Sequence, residues 1–180
     1  MKKALYILAE LSDRDFEWLM KTGRRRKLQP DEILIREDEP SDALYIILNG
    51  TLGVFSSALD GQKVATLSTG EVVGEISFID SRLPSATVKA LEEATLWVIP
   101  RTQLNSKLSH DVSFASNFYR AMAVLLCDRL RSTIQQVGRN KAQDFNRELD
   151  DDEPNPRLLE SLEIAKVRLS WLLDRLREAS

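Results

Sequence analysis

The sequence predicts a mainly β domain of jelly-roll type with flanking helices, a long C-terminal helix and an extra tail helix. Between Arg24 and Pro100, short runs rich in β-branched, aromatic and other apolar residues follow one another, separated by turn signals such as Asp60-Gly61. Short strands at this spacing are typical of antiparallel sandwiches and jelly rolls. After Pro100 the spacing of apolar residues becomes that of a helix.

Composition excludes several classes of protein. The net charge of −3 over 180 residues is not typical of a nucleic-acid-binding protein. One cysteine and one histidine rule out an intrachain disulfide and make a zinc site unexpected. No apolar run is long enough to span a membrane and the N-terminus lacks a signal-peptide pattern, so we expect a cytoplasmic protein.

Catalytic signatures are also missing from the sequence. We find no nucleophile elbow, paired-histidine metal motif or Walker loop, so an enzyme is not expected and no cofactor is predicted. A cupin-like enzyme on a jelly roll is a distant alternative, which the scarcity of histidine disfavours.

Three regions follow one another along the chain. Residues 1–138 are predicted to form the β domain with its long helix, residues 139–156 an acidic linker, and residues 157–180 an amphipathic tail helix. Within the first region, Ser12 with Asp15 predicts a capped helix over residues 12–22, and Gly23 predicts its end.

The long helix is predicted from Asp111 to about Val137, with Gly138 as its end. Cys127 within it is expected to be a buried small hydrophobe. Its apolar stripe comprises Phe118, Met122, Leu125, Leu126, Leu130, Ile134 and Val137. Because the last four extend beyond what the β domain could cover, Leu126, Leu130, Ile134 and Val137 predict a homodimer seam.

The tail helix has a stripe of apolar residues at alternating spacings of four and three. It could dock back on its own domain, pair with a second chain, or bind another protein. We expect it to contact an unidentified protein partner, through Leu158, Leu162, Leu169, Leu172 and Leu176.

The segment GEISFIDSRLPSATV, residues 74–88, carries the most specific signal. Together with the runs at residues 30–33, 41–47 and 49–50, it resembles the cyclic nucleotide-binding domain family, which includes the catabolite activator protein and the regulatory subunits of protein kinase A. The resemblance covers roughly residues 10–138 and implies a β-roll that binds cAMP or cGMP. It also implies that Glu75 holds the ribose 2′-OH, while Gly74 allows close approach of the backbone.

The chain departs from the family pattern at Pro84. The family places an arginine for the cyclic phosphate directly before the Ser85-Ala86-Thr87-Val88 strand, whereas proline carries neither charge nor N–H. Arg82 is the alternative cation, and Thr133 matches a position that touches the base. The predicted ligand-binding residues are Gly74, Glu75, Ile76, Ser77, Arg82, Pro84, Ser85, Ala86, Thr87 and Thr133.

Two functions remain open from the sequence. One is a regulatory, non-catalytic sensor of a cyclic nucleotide or related phosphorylated ligand that signals through its C-terminal helices. The other is a ligand-free dimeric scaffold that has lost cAMP binding and docks a partner through the tail helix. About 40 residues follow Gly138, too few for a winged-helix DNA reader, so DNA is not an expected partner.

Overall fold

The computed structural model describes residues 8–141, 163–171 and 174. Its helices are α1 (Asp13–Thr22), α2 (Glu75–Asp80), α3 (Arg101–His110) and α4 (Val112–Lys141), with a 3₁₀ turn at Ser57–Leu59. Its strands are β1 (Arg24–Leu28), β2 (Ile33–Ile35), β3 (Ala43–Asn49), β4 (Leu52–Ser56), β5 (Gln62–Leu67), β6 (Val72–Val73), β7 (Thr87–Ala90) and β8 (Ala94–Pro100). Residues 8–10 and 163–171 are also helical.

The strands form two antiparallel sheets with the orders β1-β8-β3-β6 and β2-β7-β4-β5. One apolar core lies between the sheets, and a second lies between the first sheet and the helices. This mainly antiparallel β architecture with flanking helices confirms the predicted fold class.

Strand β3 has both faces covered, so its run of apolar residues is continuous rather than alternating. Leu44, Ile46 and Leu48 contribute to the core beneath the helices. The intervening residues, such as Tyr45 and Ile47, fill the core between the sheets. Strand β3 therefore contributes side chains to both cores, one from each of its faces.

Helix α1 begins as predicted, with a capping box. The Ser12 Oγ accepts from the Asp15 N–H at 3.2 Å, and the Asp15 carboxylate accepts from the Ser12 N–H at 3.0 Å. Gly23 follows the helix, but its backbone is extended rather than left-handed. A Cβ there would lie 1.9 Å from Nε1 of Trp97, so this glycine is required by packing.

Helix α4 divides the predicted apolar stripe between two surroundings. Phe118, Met122 and Leu125 are buried in the core, whereas Leu130 and Ile134 are each 61% exposed. Cys127 is exposed, so its predicted burial was wrong. Gly138 does not end the helix, which continues to Lys141.

The tail helix packs against its own domain. Ala165 and Leu169 are buried in the core beneath the helices, and Arg168 donates hydrogen bonds to the carbonyl oxygens of Leu8 and Leu11. The Arg168 guanidinium also pairs with Asp13 on α1.

This packing corrects the expectation that Leu169 faces a partner. Ala165 and Leu169 lie one turn apart on one helix face, and that face is used internally. The other residues predicted to face a partner, Leu158, Leu162, Leu172 and Leu176, lie outside the described residues.

No helix in the described residues is long and apolar enough to span a membrane. Within the same residues, His, Cys, Asp and Glu side chains do not cluster in a group that could hold a metal ion.

Candidate functional site

A cavity of about 460 Å³ lies where the second sheet, α2 and α4 meet. One wall comes from β4 and β5, and a second from residues 74–77, which we call the cassette. A third wall comes from residues 83–86, and the last from α4. Its volume is in the range of small-molecule sites in proteins.

Most of the predicted ligand-binding residues line this cavity. They are Gly74, Glu75, Ile76, Ser77, Pro84, Ser85, Ala86 and Thr133. The structure places these predicted residues around one cavity. That they contact a ligand stays a prediction.

Arg82 and Thr87 do not line the cavity. The Arg82 side chain is 87% exposed and its Nε lies 4.0 Å from the Asp80 carboxylate. Ser81 before it has φ of 59°, a left-handed conformation that turns the chain at the end of α2. The Thr87 hydroxyl oxygen accepts a hydrogen bond from the Glu37 N–H at 3.1 Å. The expectation that Arg82 serves the cavity as an alternative cation is therefore corrected.

Gly74 has φ of 89°, a conformation that favours glycine, and precedes the first residue of α2. A Cβ at this position would lie 2.9 Å from the carbonyl oxygen of Ala43. The glycine thus allows β6 to turn sharply into α2 beside β3. That turn places Glu75 inside the cavity.

Glu75 is buried, with only 1% of its surface exposed. Its carboxylate forms a salt bridge with the guanidinium of Arg129 on α4. Arg129 also donates to the carbonyl oxygen of Val72, at the start of β6. The pair links residues 74–77 directly to the long helix. Removing either partner would leave the other charge buried and uncompensated, so the link is costly to break.

Burial lowers the pKa of the Arg129 guanidinium, while the negative charge of Glu71 opposes that change. Arginine starts from so high a pKa that the side chain stays cationic at physiological pH. The cavity therefore contains a salt bridge between two different elements, and its cationic partner keeps its charge at physiological pH.

Hydroxyl groups of α4 complete the polar lining. The Thr133 hydroxyl donates to the Arg129 carbonyl oxygen at 2.9 Å, and the Ser132 hydroxyl donates to that of Asp128 at 3.0 Å. Because each hydroxyl proton is engaged within the helix, each oxygen can still accept a hydrogen bond from a ligand.

Contacts outside the cavity hold α2 in place. Phe78 packs edge-on against Phe118 of α4, with ring centroids 5.8 Å apart. Arg101, the first residue of α3, donates to the Ser77 carbonyl oxygen at 3.0 Å and lies over the Phe78 ring. The cassette is thus supported by both C-terminal helices of the domain.

Sequence reasoning missed Arg129 and Ser132. The available signal was periodicity, since Arg129 lies one helical turn before Thr133 and shares its face. Because α4 carries several other charged residues, such as Arg120 and Arg131, this spacing did not identify the partner of Arg129. That partner, Glu75, is 54 residues away in sequence.

A second cavity, of about 720 Å³, lies between α1 and the tail helix. Its floor is apolar, with Phe16 and Met20, and its main buried cation, Arg168, is already engaged by backbone carbonyls. None of the predicted ligand-binding residues lines it. The smaller cavity is therefore the candidate site.

Comparisons with known proteins agree with this geometry. Residues 25–111 match the family model described as cyclic nucleotide-binding domain. The chain is 30% identical over 120 residues to an uncharacterized NTE family protein of Mycobacterium tuberculosis. The matched region covers 67% of this chain and 20% of that protein. It is 27% identical over 125 residues to cyclic GMP-binding protein C of Dictyostelium discoideum, covering 68% of this chain and 5% of that protein.

Two solved structures share the fold. A cyclic nucleotide-binding domain from Methylobacillus flagellatus superposes with a TM-score of 0.68 at 23% identity, covering 82% of this chain and 85% of that one. The catabolite activator protein of Thermus thermophilus gives 0.60 at 20% identity, covering 97% and 87%. The chain spans about a fifth of the mycobacterial relative and far less of the Dictyostelium protein.

Proposed function

Because the chain belongs to the cyclic nucleotide-binding domain family, we propose that it is a regulatory, non-catalytic module that binds a ribose-bearing small molecule of the cyclic nucleotide type. The observation that carries the proposal is the Glu75–Arg129 salt bridge inside the cavity. A ligand hydroxyl that hydrogen-bonds Glu75 necessarily alters the surroundings of Arg129, and Arg129 belongs to α4.

Binding would be passed on by a shift in the position of α4. A ligand can shift an equilibrium only by its differential affinity for the two states. Here one cavity wall is α4 itself, and the Phe78–Phe118 contact couples α2 to the same helix. The proposed signal is therefore a displacement of α4 relative to the β domain.

Titration calorimetry tests the proposal. Ligands are adenosine, guanosine, cAMP and cGMP, and the variant is Glu75→Gln, which keeps the shape of the side chain but removes its charge. We expect at least one ligand to bind the wild-type chain, and its affinity to fall about tenfold or more in the variant, since a hydrogen bond to a charged group is lost.

Arg82→Gln is the matched control, because Arg82 lies outside the cavity and should leave affinity unchanged. Melting curves of both variants establish that they are folded. If no ligand in this set binds the wild-type chain, the ligand-free scaffold becomes the better account.

We further propose that α4 forms a homodimer in the cytoplasm. Tyr119, Leu130 and Ile134 are each at least half exposed on this helix, and Leu126 is partly buried. The Val137 side chain lies outside the described part of the chain. An exposed stripe of this kind is typical of helix–helix association.

Sedimentation should give the wild-type protein twice the 20.5 kDa mass of one chain. Leu130→Glu is expected to shift it to the monomer by placing a charge in the seam. Ile79→Glu, at an exposed apolar residue of α2, should leave the dimer intact. A wild-type monomer at micromolar concentration would contradict the proposal.

A further inference from the structure

The described lining of the cavity holds more carboxylates than cations. Its described lining contains two carboxylates, Glu71 and Glu75, and one guanidinium, Arg129. Pro84 occupies the wall where the family pattern has an arginine, and Arg82 is directed to Asp80 outside. Among the side chains that the structure describes in this lining, Arg129 is therefore the one cation that a phosphate could use.

Arg129 is already engaged. Its guanidinium binds Glu75 and the Val72 carbonyl oxygen, and its side chain is only 21% exposed. A cyclic phosphate that recruited this cation would have to weaken the Glu75 pair. The separated carboxylate would then be buried beside a second anion, an arrangement that is costly.

An uncharged ribosyl compound meets no such penalty. Its hydroxyls can donate to Glu75 and to the oxygens of Ser132 and Thr133 while the ion pair stays intact. Partly exposed apolar side chains that line the cavity, Val64, Ile76 and Leu83, can cover the faces of a base.

From this charge balance we infer that the cavity binds a nucleoside in preference to the corresponding cyclic phosphate. The inference rests on the proposed function of the same cavity and names the class of ligand within it. Pro84 is then a specificity-determining position, because it withholds the cation that a cyclic phosphate needs.

Calorimetry on the full chain compares adenosine with cAMP and guanosine with cGMP. In the pair that shows the tighter binding, we expect the nucleoside to bind at least tenfold more tightly than its cyclic phosphate. A cyclic phosphate that binds equally or more tightly overturns the inference, while the proposed function stands. Absence of binding by all four compounds overturns both.

Two variants change the charge of the cavity without touching the ion pair. Pro84→Arg adds a cation and should raise the affinity for the cyclic phosphate about tenfold or more, with little change for the nucleoside. Glu71→Gln removes one negative charge and should raise the same affinity about fivefold.

The Glu71 carboxylate accepts from the Ser68 N–H at 2.7 Å, a contact that glutamine can keep. Glu71→Gln therefore remains informative if Pro84→Arg does not fold. Arg82→Gln is again the control and should leave the nucleoside-to-phosphate ratio as in the wild type. If the ratio stays unchanged in Glu71→Gln and in a folded Pro84→Arg, cavity charge does not set the preference and the inference fails.

Discussion

Replacing Phe118 with alanine is expected to lower the free energy of unfolding by about 3–5 kcal/mol, the usual cost of removing a buried aromatic ring. Phe118 is fully buried on α4. Its ring stacks on Phe114 with centroids 5.9 Å apart and meets Phe78 edge-on at 5.8 Å. The substitution removes both aromatic contacts and leaves a cavity between α4 and α2.

Urea unfolding followed by circular dichroism measures this loss. Phe55→Ala is the matched control, because Phe55 is a partly exposed phenylalanine on β4 in the other sheet. It should lose about 1 kcal/mol, as is common for substitutions outside a core. Equal losses in the two variants would contradict the view that Phe118 is central to the core beneath the helices.

The same substitution bears on the proposed signal. Phe78 belongs to α2, the helix that carries Glu75, so the Phe118 ring is the apolar counterpart of the Glu75–Arg129 salt bridge. Together they join α2 to α4 through one polar and one apolar contact. Loss of either contact should therefore loosen the link between the cavity and the long helix.

Local sequence signals predicted the features that depend on few residues. The Ser12–Asp15 capping box formed as expected, because both partners lie within one turn. The Asp60-Gly61 turn joins β4 and β5, with both residues at positive φ. The cassette lines the cavity because its residues are contiguous and its turn is determined by Gly74.

Features that depend on distant residues were harder to predict. The apolar stripe of α4 did not reveal that Phe118 turns to the core while Leu130 stays exposed, since periodicity gives a face but not what covers it. Arg129 was missed for the same reason. Its role depends on Glu75, which the fold, rather than the helix pattern, brings to it.

The tail helix shows the same limit. Its heptad spacing is compatible with a partner chain or with its own domain, and a periodic stripe alone does not choose between them. Arg168 favours docking on the chain's own domain. It lies beside the stripe and binds the carbonyl oxygens of Leu8 and Leu11. A buried arginine that binds backbone carbonyls gives the docked position a polar specificity that the leucines lack.

Arg168→Met should release this docking and lower the free energy of unfolding by about 2–4 kcal/mol, because buried carbonyl oxygens would lose a charged donor. This loss cannot exceed the free energy with which the tail helix docks. Once the tail is undocked, water can reach both carbonyl oxygens and replace the lost hydrogen bonds. Hydrogen exchange should therefore become faster in residues 163–171 and in α1. Lys166→Met is the matched control, as Lys166 is 58% exposed and pairs with Glu163 on its own helix.

The effect of Arg168→Met is expected to reach beyond the tail. Helix α1, against which the tail docks, is joined to α4 by the Asn117 amide, which donates to Asp15 at 3.2 Å. Arg120 of α4 also lies 3.0 Å from Glu10, next to the carbonyls that Arg168 binds. Because α4 forms one wall of the cavity, undocking should alter ligand affinity as well as exchange. Unchanged exchange in residues 163–171 of the variant would show that Arg168 does not hold the tail, and the apolar contacts of Ala165 and Leu169 would then suffice.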